Sequence, residues 1–157
     1  MISTTEIMKI GIFVKENSSK NKVMDSKDIK PTNIYLYQAS LNRAINTSKF
    51  CDRLYFNFMN GNIEIANIFK GRSKERIQHK LQTTLDLVAD NANQVPGNNI
   101  YLEMLGRIHT KRHITPEHFK RWKFAVINTI AECDPNFDTE ICAAWEEVLT
   151  ALIDKLI

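Results

Sequence analysis

The sequence predicts an all-α domain, on three observations. With 5 Gly and 4 Pro in 157 residues, it is too poor in turn punctuation for a many-stranded β protein. From Asn33 onward, apolar residues recur at three- and four-residue steps, the period of a helix with one buried face. Capping residues and prolines stand at the edges of those periodic stretches, where helices start and stop. A hydrophobic content of 43% and a charged content of 25% are ordinary globular values, enough for one domain with a real core.

Met1–Asn33 falls outside the helical pattern and is expected to be a partly flexible extension ahead of a domain spanning 34–157. Its residues 15–33 are rich in Ser, Asn, Lys and Asp and read as a linker. The preceding IMKIGIFV (Ile7–Val14) fits a short strand, a docked helical turn or an oligomer contact. With Glu6 early and no small-residue cleavage site, the N-terminus reads as neither signal peptide nor anchor.

The helices follow in order. Lys49–Asn60 carries Phe50, Leu54, Tyr55 and Phe58 toward one side. Ser73 can cap a helix with the stripe Ile77, Leu81, Leu85 and Val88, which Asn91–Asn99 interrupts with Pro96-Gly97. Ile100–Thr110 aligns Leu102, Leu105 and His109. Thr115-Pro116 opens the next helix, proline costing nothing at a first helical position, and Phe119, Trp122, Val126 and Ile130 form its face until Asp134-Pro135. Asp138 caps the last, in which Ile141, Trp145, Val148, Leu149, Leu152, Ile153 and Leu156 recur. About seven helices with short connections make one compact bundle.

Charge and cysteines narrow the function classes. A net charge of +3 is too small to argue for a nucleic-acid or membrane partner, and no apolar run approaches the ~20 residues of a membrane span. The odd cysteine count (Cys51, Cys133, Cys142), without CxxC spacing, argues against a disulfide framework or a cysteine zinc site and for the reducing cytoplasm.

IHTKRHITPEHF (Ile108–Phe119) holds three of the four histidines. His109, on the face of Leu102 and Leu105, points inward. It fits a core histidine bonded to a backbone carbonyl, an axial ligand to haem iron, or, paired with His113 four residues on, part of a zinc site. His118 falls on the polar side of the next helix. The basic residues Arg107, Lys111, Arg112, Lys120, Arg121 and Lys123 bracket the cluster as a solvated face or an anion contact such as haem propionates.

The order of these pieces resembles the bacterial haemoglobins, in particular the flavohaemoglobin and single-domain globin group. LGRIHTKRHITPEHF is similar to the block in which the proximal histidine stands seven residues before a helix-opening proline, which selects His109. Ala144-Trp145 is similar to the family's final-helix pair, and IFKG (Ile68–Gly71) to the segment whose phenylalanine packs on the haem, here Phe69. Tyr55 stands fourteen residues earlier, at the family's spacing for a distal tyrosine, and Leu81 to His109 spans the family interval without gaps.

The resemblance implies a globin fold around a haem b pocket, with His109 on the iron and O₂, NO or CO on the open side, in a monomer or homodimer. Tyr55 would donate a hydrogen bond to the gas, Leu81 would wall the pocket, and Leu105 and Trp122 would pack on the proximal side. Ile77 takes the distal position in the ungapped register, with Gln78 and His79 flanking it. FCDRLY (Phe50–Tyr55) also imitates a family block that would put Cys51 there instead of Tyr55. Phe119 replaces a tyrosine usual in flavohaemoglobins. The chain ends at Ile157, before their reductase module, and carries no dinucleotide fingerprint, so NO dioxygenase turnover would need a separate reductase. Oxygen binding or NO handling is the expected function. The alternative is gas sensing through the extension or a dimer face.

Overall fold

The computed structural model describes residues 23–157, in which seven α-helices form a bundle and no strand occurs among the described residues. They are α1 (Pro31–Ile45), α2 (Phe50–Met59), α3 (Ile63–Ile68), α4 (Lys74–Ala92), α5 (Asn98–Lys111), α6 (Pro116–Cys133) and α7 (Thr139–Leu156), preceded by a 3-10 turn at Ser26–Asp28. Ser73, Thr115 and Asp138 cap α4, α6 and α7 through their side chains, and Asn62 does so for α3. Helix α5 begins two residues earlier than its periodicity suggests, because Gly97 takes a left-handed turn (φ +83°) that starts the helix at Asn98.

α7 is the centre of the bundle. It packs along α1 and also meets α4, α5 and α6. Trp145 is fully buried and stacks edge-on against Tyr37 of α1, with ring centroids 4.7 Å apart. Its indole N–H donates to the Ser40 hydroxyl (3.0 Å), which in turn donates to Asp134 (2.6 Å). Arg43 closes this network with Nε and Nη2 on the same carboxylate (2.6 and 2.9 Å). Desolvation pushes the Asp134 carboxyl upward, but the Arg43 and Ser40 hydrogen bonds outweigh it and hold the group below its ordinary 3.8. Where α5 crosses α7, Gly106 lets the backbones touch: a Cβ there would stand 3.3 Å from the Leu156 carbonyl oxygen.

The described end of the polar N-terminal segment is ordered against α7. Ser26 and Ile29 are buried, the Met24 amide donates to Asp154 (2.7 Å), and the Asn33 side chain donates to Glu147. Polar composition suggested a linker here, whereas these polar groups meet acidic partners on α7. The IMKIGIFV stretch and residues 15–22 lie outside the described residues.

Candidate functional site

His109 sits in the last turns of α5, half-buried, with its ring edge-on to Phe119 of α6 (centroids 5.3 Å apart, planes at 68°). Its Nδ1 lies 2.8 Å from the Leu105 carbonyl oxygen. A carbonyl can only accept, so Nδ1 carries the proton and Nε2 of the neutral ring keeps a bare lone pair. Desolvation, outweighing the Leu105 hydrogen bond and aided by Arg112, lowers the imidazole below its ordinary 6.5, so the ring is neutral at pH 7. This is the chemical state of a metal-ligating imidazole whose second nitrogen is oriented by a backbone acceptor.

The backbone leaves the helix directly afterwards. Lys111 ends α5, and His113 takes a left-handed conformation (φ +57°) and is exposed, so it does not continue the helical register of His109. His118 is not on a solvated face as its position suggested. It completes the α6 capping box, accepting the Thr115 amide at Nδ1 (3.0 Å), and its Nε2–H reaches Glu64 of α3 (3.2 Å).

Beside His109, α5 presents a stripe absent from the sequence-derived residue set. Tyr101, Met104 and Ile108 are 42%, 44% and 39% exposed and follow one another at helical steps, with half-buried Leu105 between them. Contact between α4 and α5 is sparse, each packing on α7 instead. On the α4 side, Ile77 and Leu81 are buried, as is Trp122 of α6. Phe69 is half-buried against Phe58 (5.4 Å, edge-on) with the Arg72 guanidinium 5.7 Å over its ring.

The polar distal candidates are placed differently from one another. Tyr55 is half-buried with Lys74 Nζ 5.4 Å from its ring, and its hydroxyl bonds to no other group among the described residues. Gln78 is drawn aside to α2, donating to Asp52 (2.9 Å), and His79 is exposed. Cys51 is exposed at the start of α2, its sulfur 3.9 Å from Gln82. Desolvation first, then the positive charges of Arg72, Arg112 and Arg76, lower the Lys80 ammonium, so the surroundings of Lys80 are cationic on balance. Of the basic residues downstream of His113, Lys120 and Arg121 lie near Glu117 and Lys123 pairs with Glu146.

Seven helices, one committed imidazole and an uncovered apolar stripe define an all-α domain of the haemoglobin type. The Globin family model matches residues 52–156, and the chain belongs to the globin family. A crystal structure from Pseudomonas aeruginosa PAO1, described as structurally highly homologous to a human hemoglobin, is similar in fold, with a TM-score of 0.72. The identity is 22%, over 79% of this chain and 95% of that one. Among curated proteins, none matches.

Globins generally hold haem, and the residues here fit one. The porphyrin is a flat apolar disc with an acidic edge and a metal that takes nitrogen ligands. The exposed stripe of α5 suits the disc, Nε2 of His109 suits the iron, and basic side chains such as Arg112, just past the end of α5, suit the carboxylates. No helix among the described residues is long and apolar enough to cross a membrane.

Proposed function

We propose that this globin binds haem b through His109 and reversibly takes up a diatomic gas, O₂, NO or CO. The observation that carries the reading is the state of His109: neutral, its Nδ1–H committed to Leu105, and its Nε2 lone pair free beside an apolar stripe with no protein cover among the described residues. Haem, when bound, would supply the iron that takes up the gas. The chain's residues do the rest. Leu105, Trp122 and Phe119 fix the proximal side, and Phe69, Ile77 and Leu81 line the other side and keep water out. Tyr55, with its hydroxyl uncommitted, donates a hydrogen bond to a polar ligand. Gln78, held by Asp52, plays that part only if it releases Asp52. Three unbridged cysteines suit the cytoplasm. Phe119 offers His109 a ring edge but no hydroxyl.

A second reading, gas sensing, is favoured by one observation: residues 24–33 are fastened to α7, the helix whose last turn touches α5 at Gly106. Deleting residues 1–30 leaves gas affinity and assembly nearly unchanged if the protein only carries or handles gas, and alters one of them if it senses.

Absorption spectra of the haem-reconstituted protein in ferric, ferrous and CO-bound states test the main reading. Wild type and His113→Ala are expected to give globin-type spectra, and His109→Ala to lose the proximal ligand. Failure of wild type to take up haem overturns the proposal, and loss in His113→Ala with retention in His109→Ala moves the ligand.

A further inference from the structure

At the opposite end of α5 from His109 lies a cleft of about 300 Å³ between the 3-10 turn, the α4–α5 corner and the end of α7. Its polar groups are unevenly satisfied. Lys155 Nζ spends its protons on Asn91 Oδ1 (2.7 Å), Asn99 Oδ1 (2.9 Å) and Ser26 Oγ (3.2 Å). Because Asn91 Oδ1 accepts from Lys155, its amide orientation is fixed, and its Nδ2 is left without a partner although Asn91 is only 1% exposed. Asn98 Nδ2, on the first residue of α5, is likewise buried and unpartnered among the described residues. Gly97 precedes it and provides no capping side chain, so the first-turn N–H groups of α5, a helix of 14 residues, lack a side-chain acceptor.

Every deficit in this cleft is therefore a hydrogen-bond donor. The charges lean the same way: Lys27 and Lys155 line it against a single carboxylate, Asp25, which is half exposed and stands 3.9 Å from Lys155. A helix N-terminus adds its partial positive charge. A water satisfies one donor. An oxyanion satisfies several together and neutralises the excess charge.

We propose that this cleft is a binding site for a small oxyanion, either inorganic phosphate or a carboxylate-bearing metabolite, held by the unpartnered amides of Asn91 and Asn98 and the first turn of α5, beside the charge of Lys155, whose protons stay on Asn91, Asn99 and Ser26. Asp25 opposes binding and sets its strength. The site stands apart from the gas-binding face and does not depend on haem for its donors.

Titration of the full isotope-labelled chain followed by amide NMR tests this, with sodium phosphate, sodium acetate and sodium chloride in parallel at matched ionic strength. Saturable shifts of the Asn91 and Asn98 side-chain amides and the Asn99 and Ile100 backbone amides are expected with phosphate or acetate, and the arm that saturates first identifies the source. Asn98→Ala is expected to weaken binding about fivefold, the weight of one hydrogen bond. Lys155→Met is expected to weaken it tenfold or more, and Asp25→Asn, which can still cap the turn, to strengthen it. Equal shifts in chloride, or an unchanged affinity in Asn98→Ala with its fold intact, overturn the proposal.

Discussion

Helices α7 and α5 are both amphipathic, and their fates differ. Ten of the 18 residues of α7 are buried, whereas α5 buries only Leu102 of its 14. The apolar surface of α7 is matched by α1, α4, α5 and α6, so that helix is explained by the chain's own packing. The apolar surface of α5 is half left over, beside an imidazole already prepared at Nδ1. A helix with an unspent face and a committed histidine leaves apolar surface free for a partner.

The largest expected effect lies on the saturated side. Trp145→Ala is expected to cost about 3–5 kcal/mol, the range for deleting a buried aromatic, with a further loss as Ser40 is left without its donor. Denaturant unfolding measures this, and a cost below about 1.5 kcal/mol would remove α7 from its central position. Next comes Asp134→Asn, at about 1–3 kcal/mol, since a charge-assisted network loses its charge. The sign with pH follows from the depressed carboxyl. Its stabilisation is complete above the ordinary value of 3.8 and fades as pH falls through the lower folded value. Stability measured from pH 6 down into that acid window is expected to fall less steeply in the Asn variant than in wild type.

The smallest effect belongs to the unspent face. In haem-free protein, Met104→Ser and Ile108→Ser are expected to shift unfolding by no more than about 0.5 kcal/mol, as exposed substitutions do. Haem retention is expected to fall in the same variants. If Ile108→Ser proves as costly to the haem-free protein as Leu102→Ala, the stripe is core and the contrast between the two helices disappears.

Most of the fold was legible because the chain spells its helices twice, in period and in caps. Trp145, Leu149 and Leu152 on one phase, behind Asp138, could hardly be anything but a buried helix face. Ile77 and Leu81 turned inward as their phase required, and His109 came out half-buried on the face its phase gave it. What could not be read depended on groups distant in sequence. Gln78 meets Asp52 and His118 meets Glu64 only after the helices have packed. Residues 24–33 looked like linker because composition cannot say that Glu147 and Asp154 will stand opposite.

Gly106 has a mechanical consequence. At this crossing, α5 and α7 touch backbone to backbone, with no side chain between them to compress or change rotamer. His109 lies three residues away, about 4.5 Å along a stiff helix axis. A rigid slide of α5 therefore has no cushion at the crossing: either the last turn of α7 travels with it, or the contact parts.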